Sequence, residues 1–432
     1  MSLRVLRVYH GGRDPQHRGR ERALEAAGVD VTLVVPTEWP ESSGERSLSP
    51  EPFRVMELPV TRAGDVNRHA HVEGGALRRL IAETRPDVLD LHEEPFSVVA
   101  RQWLRAAPDL PVLMYTGQNV DKRFPPPYSR FETAAYRRVD AFYPCSRQAA
   151  SVLRGKGFAG TIEVLPLGYD DTLFRFGSQS LDSDEIVLML AGRLVPEKGL
   201  DDAVRTLDRV HAIRPARLVV SGSGPEAARA RELASSLGVG DRLELAAWQS
   251  GEDLASNYRA AHVVLFPSRP TETWVEQFGR VIVEAQASGA VVAGYASGAI
   301  PEVAGEAGMV VPTGDVERLA EVVARVIADP DEFAWRREAG HRQAATRTWH
   351  AVATRQAALY EIVYAGQNAR LKLPRSPRRR RAAARVEFGP TAWTIAGERP
   401  FAMPILRRGG AVAHGLGATI DVTSETASRL WR

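Results

Sequence analysis

The chain has almost no cysteine. Cys145 is the only one in 432 residues, so no intrachain disulfide can form, and the expected compartment is a reducing cytoplasm. Cys145 itself reads as a small core residue. No apolar stretch reaches the roughly 18–20 residues that a membrane span requires. The first residues, MSLRVLRVYH, alternate arginine with aliphatic side chains. They lack the unbroken apolar core and small-residue cleavage site of a signal peptide and read as a first strand. No G-x-G-x-x-G follows that strand, so the dinucleotide-binding fingerprint is missing. The histidines are scattered, with His69 and His71 a close pair, and no Cys/His spacing suggests zinc. No metal and no cofactor are expected.

Basic residues are not in excess over most of the chain either. Residues 370–385 carry eight of them and no acidic residue, so the rest of the chain has a charge of −5 against +3 for the whole. A nucleic-acid enzyme would distribute basic residues over its working face, so no nucleic-acid partner is expected. The local run reads as a solvated segment. Its second reading is a patch for an anionic membrane surface, with peripheral attachment at the inner membrane face.

What is present is a globular composition, 44% hydrophobic and 25% charged, at a length that suits two or three domains. Short apolar runs alternate with longer helical patterns, the signal for parallel sheets with crossover helices. Strands are expected at 3–10, 29–36, 87–94, 110–117, 141–146 and 161–168, with helical patterns such as GGALRRLIAET and RQAASVLRGKG between them. The alternation breaks at the polar stretch YDDTLFRFGSQSLDSDE (169–185). It restarts with strands at 185–192, 216–224, 242–248, 262–268 and 290–296, and with helices at 319–329, 332–348 and 351–364. The expected architecture is α/β, with two doubly wound Rossmann-like domains facing across a cleft. Residues 1–170 are expected to form the first domain, 171–184 the linker and 185–350 the second domain. Residues 351–371 form a C-terminal crossover helix, and 372–432 a basic, weakly ordered tail.

In open parallel sheets, ligands bind beyond the carboxyl ends of the strands. Three stretches there carry candidate chemistry. In AGRLVPEKG (191–199), Gly192 turns the chain after a strand, and Arg193 and Lys198 flank a loop that opens a helix. Two cations beside a helix N-terminus suit a diphosphate, and equally suit a solvated loop. In SGSGPE (221–226), Gly222 and Gly224 permit close backbone approach to a ligand or simply a tight turn. In ETWVEQFGRVIVE (272–284), Glu276 falls just before a helix and Glu284 within it. The amides of Phe278, Gly279 and Arg280 lie at the helix start, where free donors favour an anion. Glu284 stands on an otherwise apolar helix, where a charge needs a partner.

Taken in order, these stretches resemble the C-terminal half of a retaining, family-4-type glycosyltransferase of the GT-B fold. They run GRLVPEKG, SGSGPE, FPS, the two glutamates around Phe278-Gly279, SGAIPEV (297–303) and AGMVVPTGDVERLAEVV (307–323). The N-terminal half agrees more loosely, and the likeness covers roughly residues 1–370. The resemblance implies that Arg193 and Lys198 hold the diphosphate of a nucleotide sugar and that Glu284 binds the ribose. It further implies that Glu276 binds the donor sugar beside Phe278 and Gly279, and that Gly222 and Gly224 line the nucleotide pocket. On the acceptor side, Gly11 and Gly12 match a Gly-Gly pair common in relatives. His92 is a further candidate, in LHEEPFS, because Gln118 and Asn119 stand near where relatives often have a His-Asp pair.

The function this implies is transfer of a hexosyl group from a nucleotide-diphosphate sugar to an acceptor hydroxyl with retained configuration. The acceptor class is a sugar, a polyol or a glycolipid. The other readings on the same scaffold are a nucleotide-sugar epimerase and a non-catalytic nucleotide-sugar-binding protein. The D-x-D at Asp182-Ser183-Asp184 lies in the linker, away from any strand end, which disfavours the metal-dependent transferases of the other common fold.

Overall fold

The computed structural model describes residues 2–40 and 50–372. The basic run and the expected weakly ordered tail, from 373 onward, lie outside the described residues. The chain divides into two compact units. Residues up to Leu165 form the first, Pro166–Val352 the second, and the chain from Ala353 rejoins the first.

A parallel strand covered on both faces needs a nearly continuous apolar run, and both units supply them. The strands of the first unit are β1 (Arg4–Val8), β2 (Asp30–Pro36), β3 (Arg54–Leu58), β4 (Val60–Thr61), β5 (Ala70–His71), β6 (Val88–Leu91), β7 (Val112–Thr116), β8 (Ala141–Pro144) and β9 (Thr161–Ile162). Seven of them form one parallel sheet in the order β3-β2-β1-β6-β7-β8-β9, while β4 and β5 pair antiparallel on their own. The second unit has β10 (Ile186–Ala191), β11 (Ala216–Ser221), β12 (Leu243–Ala246), β13 (Val263–Phe266), β14 (Val291–Tyr295) and β15 (Met309–Val311), ordered β12-β11-β10-β13-β14-β15. Strand order reverses between β1 and β6 in one sheet and between β10 and β13 in the other. At such a switch point the crossover helices leave on opposite faces, and the loops beyond the strand ends open a crevice.

One charge interrupts the apolar centre of the first sheet. Arg7, in the middle of β1, is fully buried and ion-paired with Glu21 and Asp90. A buried guanidinium is tolerated only when its donors are paired. Asp90 also accepts from Gln356 Nε2 at 2.8 Å and from the Tyr360 hydroxyl. Both belong to the last helix, Trp349–Lys372, whose Ala353, Leu359, Tyr360 and Val363 pack into the core with Val5 and Leu33. Polar pairing and apolar packing thus dock this helix on the first unit.

The structure differs from the sequence expectation in several places. Four strands lie outside the expected ranges: β3, β15 and the two-residue pair β4 and β5. β3 carries Arg54 and Glu57 and is only half-buried at the sheet edge, so its pattern is weak. β15 is three residues long. The expected strand 161–168 shrinks to Thr161–Ile162, and that at 87–94 ends at Leu91, leaving His92, Glu93 and Glu94 beyond the strand. The stretch 171–184 is built into the second unit. Gly177 N–H donates to Ser288 O at 3.0 Å, and Arg337 donates to Gln179 O at 2.7 Å. No helix among the described residues is long and apolar enough to cross a membrane.

Candidate functional site

The site lies in the second unit, at the loops that leave β10 and β13. After β10 the chain turns at Gly192, makes one 3-10 turn at Pro196–Lys198 and enters the helix Leu200–His211 through Gly199. The loop after β11 lies against it backbone to backbone. Leu194 N–H donates to Ser223 O at 2.8 Å, and Gly192 N–H to Ser221 O at 3.0 Å. A side-chain carbon at Gly222 would overlap the Gly192 carbonyl, and one at Gly224 would overlap that of Leu194. The first role of these two glycines is therefore to let the two loops touch.

Lys198 and Glu276, 78 residues apart, meet here. The Lys198 ammonium is 2.6 Å from Glu276 Oε2. It also stands 4.9 Å from the centre of the Trp274 ring and 5.4 Å from that of Phe266. Two aromatic faces and a carboxylate fix the ammonium at the crevice. The Glu276 main chain is clamped in turn by the SGAIPEV segment, where Ala299 N–H donates to Glu276 O at 2.9 Å. Gly298 has φ +55, and a side-chain carbon there would sit 2.8 Å from Glu276 N and closer still to its carbonyl oxygen. Arg193 is exposed on the loop after β10, and among the described residues it has no ion pair.

The helix Arg280–Ala287 begins immediately after buried Phe278, with Gly279 at φ +82 as its N-cap and no side chain capping it. Its first amides keep their hydrogen-bonding capacity, and the helix dipole adds partial positive charge at that end. One turn in, Glu284 is buried. Arg280 Nε lies 3.0 Å from its Oε1, and the Tyr258 hydroxyl donates to Oε2 at 3.4 Å. Burial pushes the Glu284 carboxyl above its ordinary range, partly offset by Arg280 and the Tyr258 hydrogen bond. Arg280, expected to contribute its amide, therefore also uses its side chain to pair Glu284. Trp248, in the loop after β12, is 60% exposed.

Asp202, Arg269 and Tyr295 were not singled out in the sequence. The buried Asp202 carboxylate accepts from Arg269 Nε at 2.6 Å, Arg269 Nη2 at 2.7 Å and the Tyr295 hydroxyl at 2.9 Å. Arg269 N–H in addition donates to Glu197 O at 2.8 Å. This group ties the loop after β13 to the turn that carries Lys198. The available signal was an acidic residue on the apolar face of the helix after KGL, which demands a partner.

In the first unit, Gly11 and Gly12 form the 3-10 turn His10–Arg13 after β1, packed on the Tyr9 ring. His92 has a structural place. Its Nδ1 accepts from Arg7 at 3.1 Å, and its ring stacks on Tyr115 at 4.0 Å. Burial and the neighbouring Arg7 hold it well below the ordinary histidine range, so it is neutral. His92 thus sits in the buried network that carries Arg7. Its neighbour Glu93 faces His10 and His69 instead.

Comparisons with known proteins bear on the family and the fold. The model for "Glycosyl transferases group 1" matches residues 172–343 and that for "Glycosyltransferase Family 4" residues 21–173, so the two meet end to end. A D-inositol 3-phosphate glycosyltransferase of Saccharomonospora viridis is 34% identical over 209 residues, 41% of this chain and 47% of that protein. A GDP-mannose-dependent phosphatidylinositol monomannoside mannosyltransferase of Mycobacterium tuberculosis is 31% identical over 206 residues, covering 45% and 53%. The match spans about half the length of the first of these relatives. A D-inositol 3-phosphate glycosyltransferase of Catenulispora acidiphila, 29% identical, aligns over 80% of this chain and 93% of its own. Among solved structures, sucrose-phosphate synthase of Thermosynechococcus elongatus superposes with TM-score 0.64 at 20% identity, covering 84% of this chain and all of that one. The Anabaena protein HepE, solved with UDP and glucose, gives 0.65 at 16% identity, covering 83% and 100%.

Proposed function

The chain belongs to the family-4-type glycosyltransferases of the GT-B fold, and from that premise we propose that it moves a hexosyl group from a nucleotide-diphosphate sugar to an acceptor hydroxyl with retention of configuration. The observation that carries this reading is the Lys198–Glu276 pair, 2.6 Å apart, at the β10–β13 switch point beside the N-terminus that Gly279 opens. A cation and uncapped helix amides are suited to the two charges of a diphosphate, and a carboxylate beside them to sugar hydroxyls.

In the proposed step, the bond from the sugar C1 to the diphosphate oxygen breaks, and a bond from C1 to the acceptor oxygen forms on the same face. The acceptor proton passes to the departing phosphate. Lys198, Arg193 and the amides of Gly279 and Arg280 stabilise the charge that grows on the leaving group. Glu276 holds the donor sugar, and Glu284, kept in place by Arg280 and Tyr258, binds the ribose hydroxyls. The scheme uses no cofactor.

The acceptor is a sugar, a polyol or a glycolipid. The names of the relatives make inositol phosphate and phosphatidylinositol mannoside the first acceptors to assay. The basic run 370–385 is the segment proposed to touch an anionic membrane surface. The test begins with a thermal-shift screen against UDP, GDP and ADP and their sugars, repeated on Glu284→Ala. At a hundredfold excess over Kd, binding stabilises by about 2.7 kcal/mol, so one nucleotide should give a clear shift that the variant loses. Release of that nucleotide diphosphate should then require an acceptor. A shift with no nucleotide, or release that ignores every acceptor, removes the transferase reading.

A further inference from the structure

Three donor side chains that the transfer scheme leaves unused meet in the first unit. His10 follows β1, Glu93 follows β6 and His69 precedes β5. β1 and β6 are neighbours at the switch point of their sheet, so the fold joins residues 83 apart in sequence. One ring nitrogen of His10, one of His69 and a Glu93 carboxylate oxygen all lie within 4.8 Å of one another. His10 Nδ1 is 2.9 Å from both Glu93 oxygens, and His69 Nε2 is 3.9 Å from Oε2. Tetrahedral zinc with bonds of 2.0–2.2 Å sets its ligand atoms about 3.4 Å apart. These separations bracket that value.

The surroundings are those of a ligand set. His69 Nδ1 lies 3.0 Å from Asp65 O, to which it donates, so its Nε2 lone pair is turned toward Glu93. A backbone carbonyl fixing the tautomer of a ligating imidazole is the usual support of a metal-bound histidine. Glu93, nearly fully buried, accepts the His10 backbone N–H at 2.9 Å, which orients the carboxylate. The Trp39 ring packs at 4.6 Å from His10 and 5.0 Å from His69, holding both imidazoles in place. A small cavity lined by Val8, Val34, His69 and His71 adjoins them.

We propose that His10, His69 and Glu93 bind one divalent transition-metal ion, and that the donor set selects Zn2+. Two imidazoles and a carboxylate suit zinc, whereas Mg2+ and Ca2+ take shells of oxygen. Binding replaces the His10–Glu93 hydrogen bond: the proton leaves His10 Nδ1, for Nε2 if the ring starts neutral or for solvent if it starts as imidazolium. Three protein ligands leave a fourth position for water or a hydroxyl group.

The test uses the full chain, stripped by chelator and returned to metal-free buffer. Zn2+ is titrated by calorimetry, and Co2+ is followed by its visible spectrum. The expected result is one saturable equivalent and a Co2+ spectrum of low coordination number. His69→Ala and Glu93→Gln should each weaken binding by ~100-fold or more, the upper range seen even for supporting residues, while His211→Ala leaves it unchanged. If circular dichroism shows that either variant is unfolded, His10→Ala, at a ring 22% exposed, carries the comparison. No saturable binding, or equal affinity in the folded variants, overturns the proposal and leaves the cluster a hydrogen-bonded His–carboxylate group.

Discussion

Replacing Lys198 by alanine separates two roles that the structure gives one ammonium. Its hydrogen bond to Glu276 is charge-assisted, and the side chains of the two partners are only 17% and 11% exposed. Hydrogen bonds to charged groups contribute about 1.5–3 kcal/mol, and the two aromatic faces beside the ammonium add about 0.5–1 kcal/mol. Lys198→Ala should therefore lower the stability of the second unit by about 2–4 kcal/mol in urea unfolding. Glu276→Ala should cost somewhat less, because it leaves the more exposed partner behind. In the double variant neither partner is stranded, so the stability losses should be less than additive, with a coupling of about 1–2 kcal/mol. Turnover should behave differently. A preorganised donor aimed at a leaving group is worth about 10²–10³ in kcat. Adding Glu276→Ala does not restore a missing cation, so the double variant should be no faster than either single one. The assay is acceptor-dependent release of the nucleotide diphosphate, run beside the urea curves. If turnover in the double variant recovers together with stability, or if Lys198→Ala turns over as fast as the parent, the catalytic assignment is wrong and the pair is structural.

Three further outcomes follow from the same geometry. Gly298→Ala forces a side chain into the left-handed region, at about 1–2 kcal/mol, and displaces the Glu276 main chain, so stability and kcat should fall together without a large change in nucleotide affinity by calorimetry. Asp202→Asn weakens a two-bond ion pair with Arg269 and should cost about 1.5–3 kcal/mol in urea unfolding; an unchanged midpoint would show that Arg269 is held by other contacts. Glu284 has a carboxyl raised by burial, so the folded state holds its proton more tightly than the unfolded chain does. Its contribution to stability is therefore fully present below the unfolded value of about 4.3 and is lost as pH rises through the higher folded value. The stability of Glu284→Gln relative to the parent should accordingly improve with rising pH across that window, and a flat difference would contradict the assigned burial.

Much of the fold was legible because its signals are local. Apolar runs of four to six residues marked most of the sheet strands, and the helix at 74–84 has the bounds of its sequence pattern. Signals failed where an element was short or lay at an edge. β3 mixes charge into a half-buried strand, and β15 has too few residues to show a period. The stretch 171–184 has the composition of a linker, yet its backbone groups find partners on the second unit. Of the site, Lys198, Glu276 and Glu284 were visible as charges placed where a strand meets a helix. Arg280 was visible only for its amide. Asp202 was missed because its partners, Arg269 and Tyr295, are 67 and 93 residues away. The partner of His92 was not legible because Arg7 lies 85 residues before it.

The sequence by itself determined two doubly wound units, the order of the loops that carry the candidate site and the residue types at their tips. These follow from periodicity and from glycines whose spacing survives without knowledge of neighbours. The tertiary structure decided the long-range pairings: Lys198 with Glu276, Glu284 with Tyr258, Asp202 with Arg269, and His10 with His69 and Glu93. A buried charge specifies that it must have a partner, because leaving it unpaired costs several kcal/mol. It does not specify which partner. Strand order makes that choice, by setting β1 beside β6 and β10 beside β13.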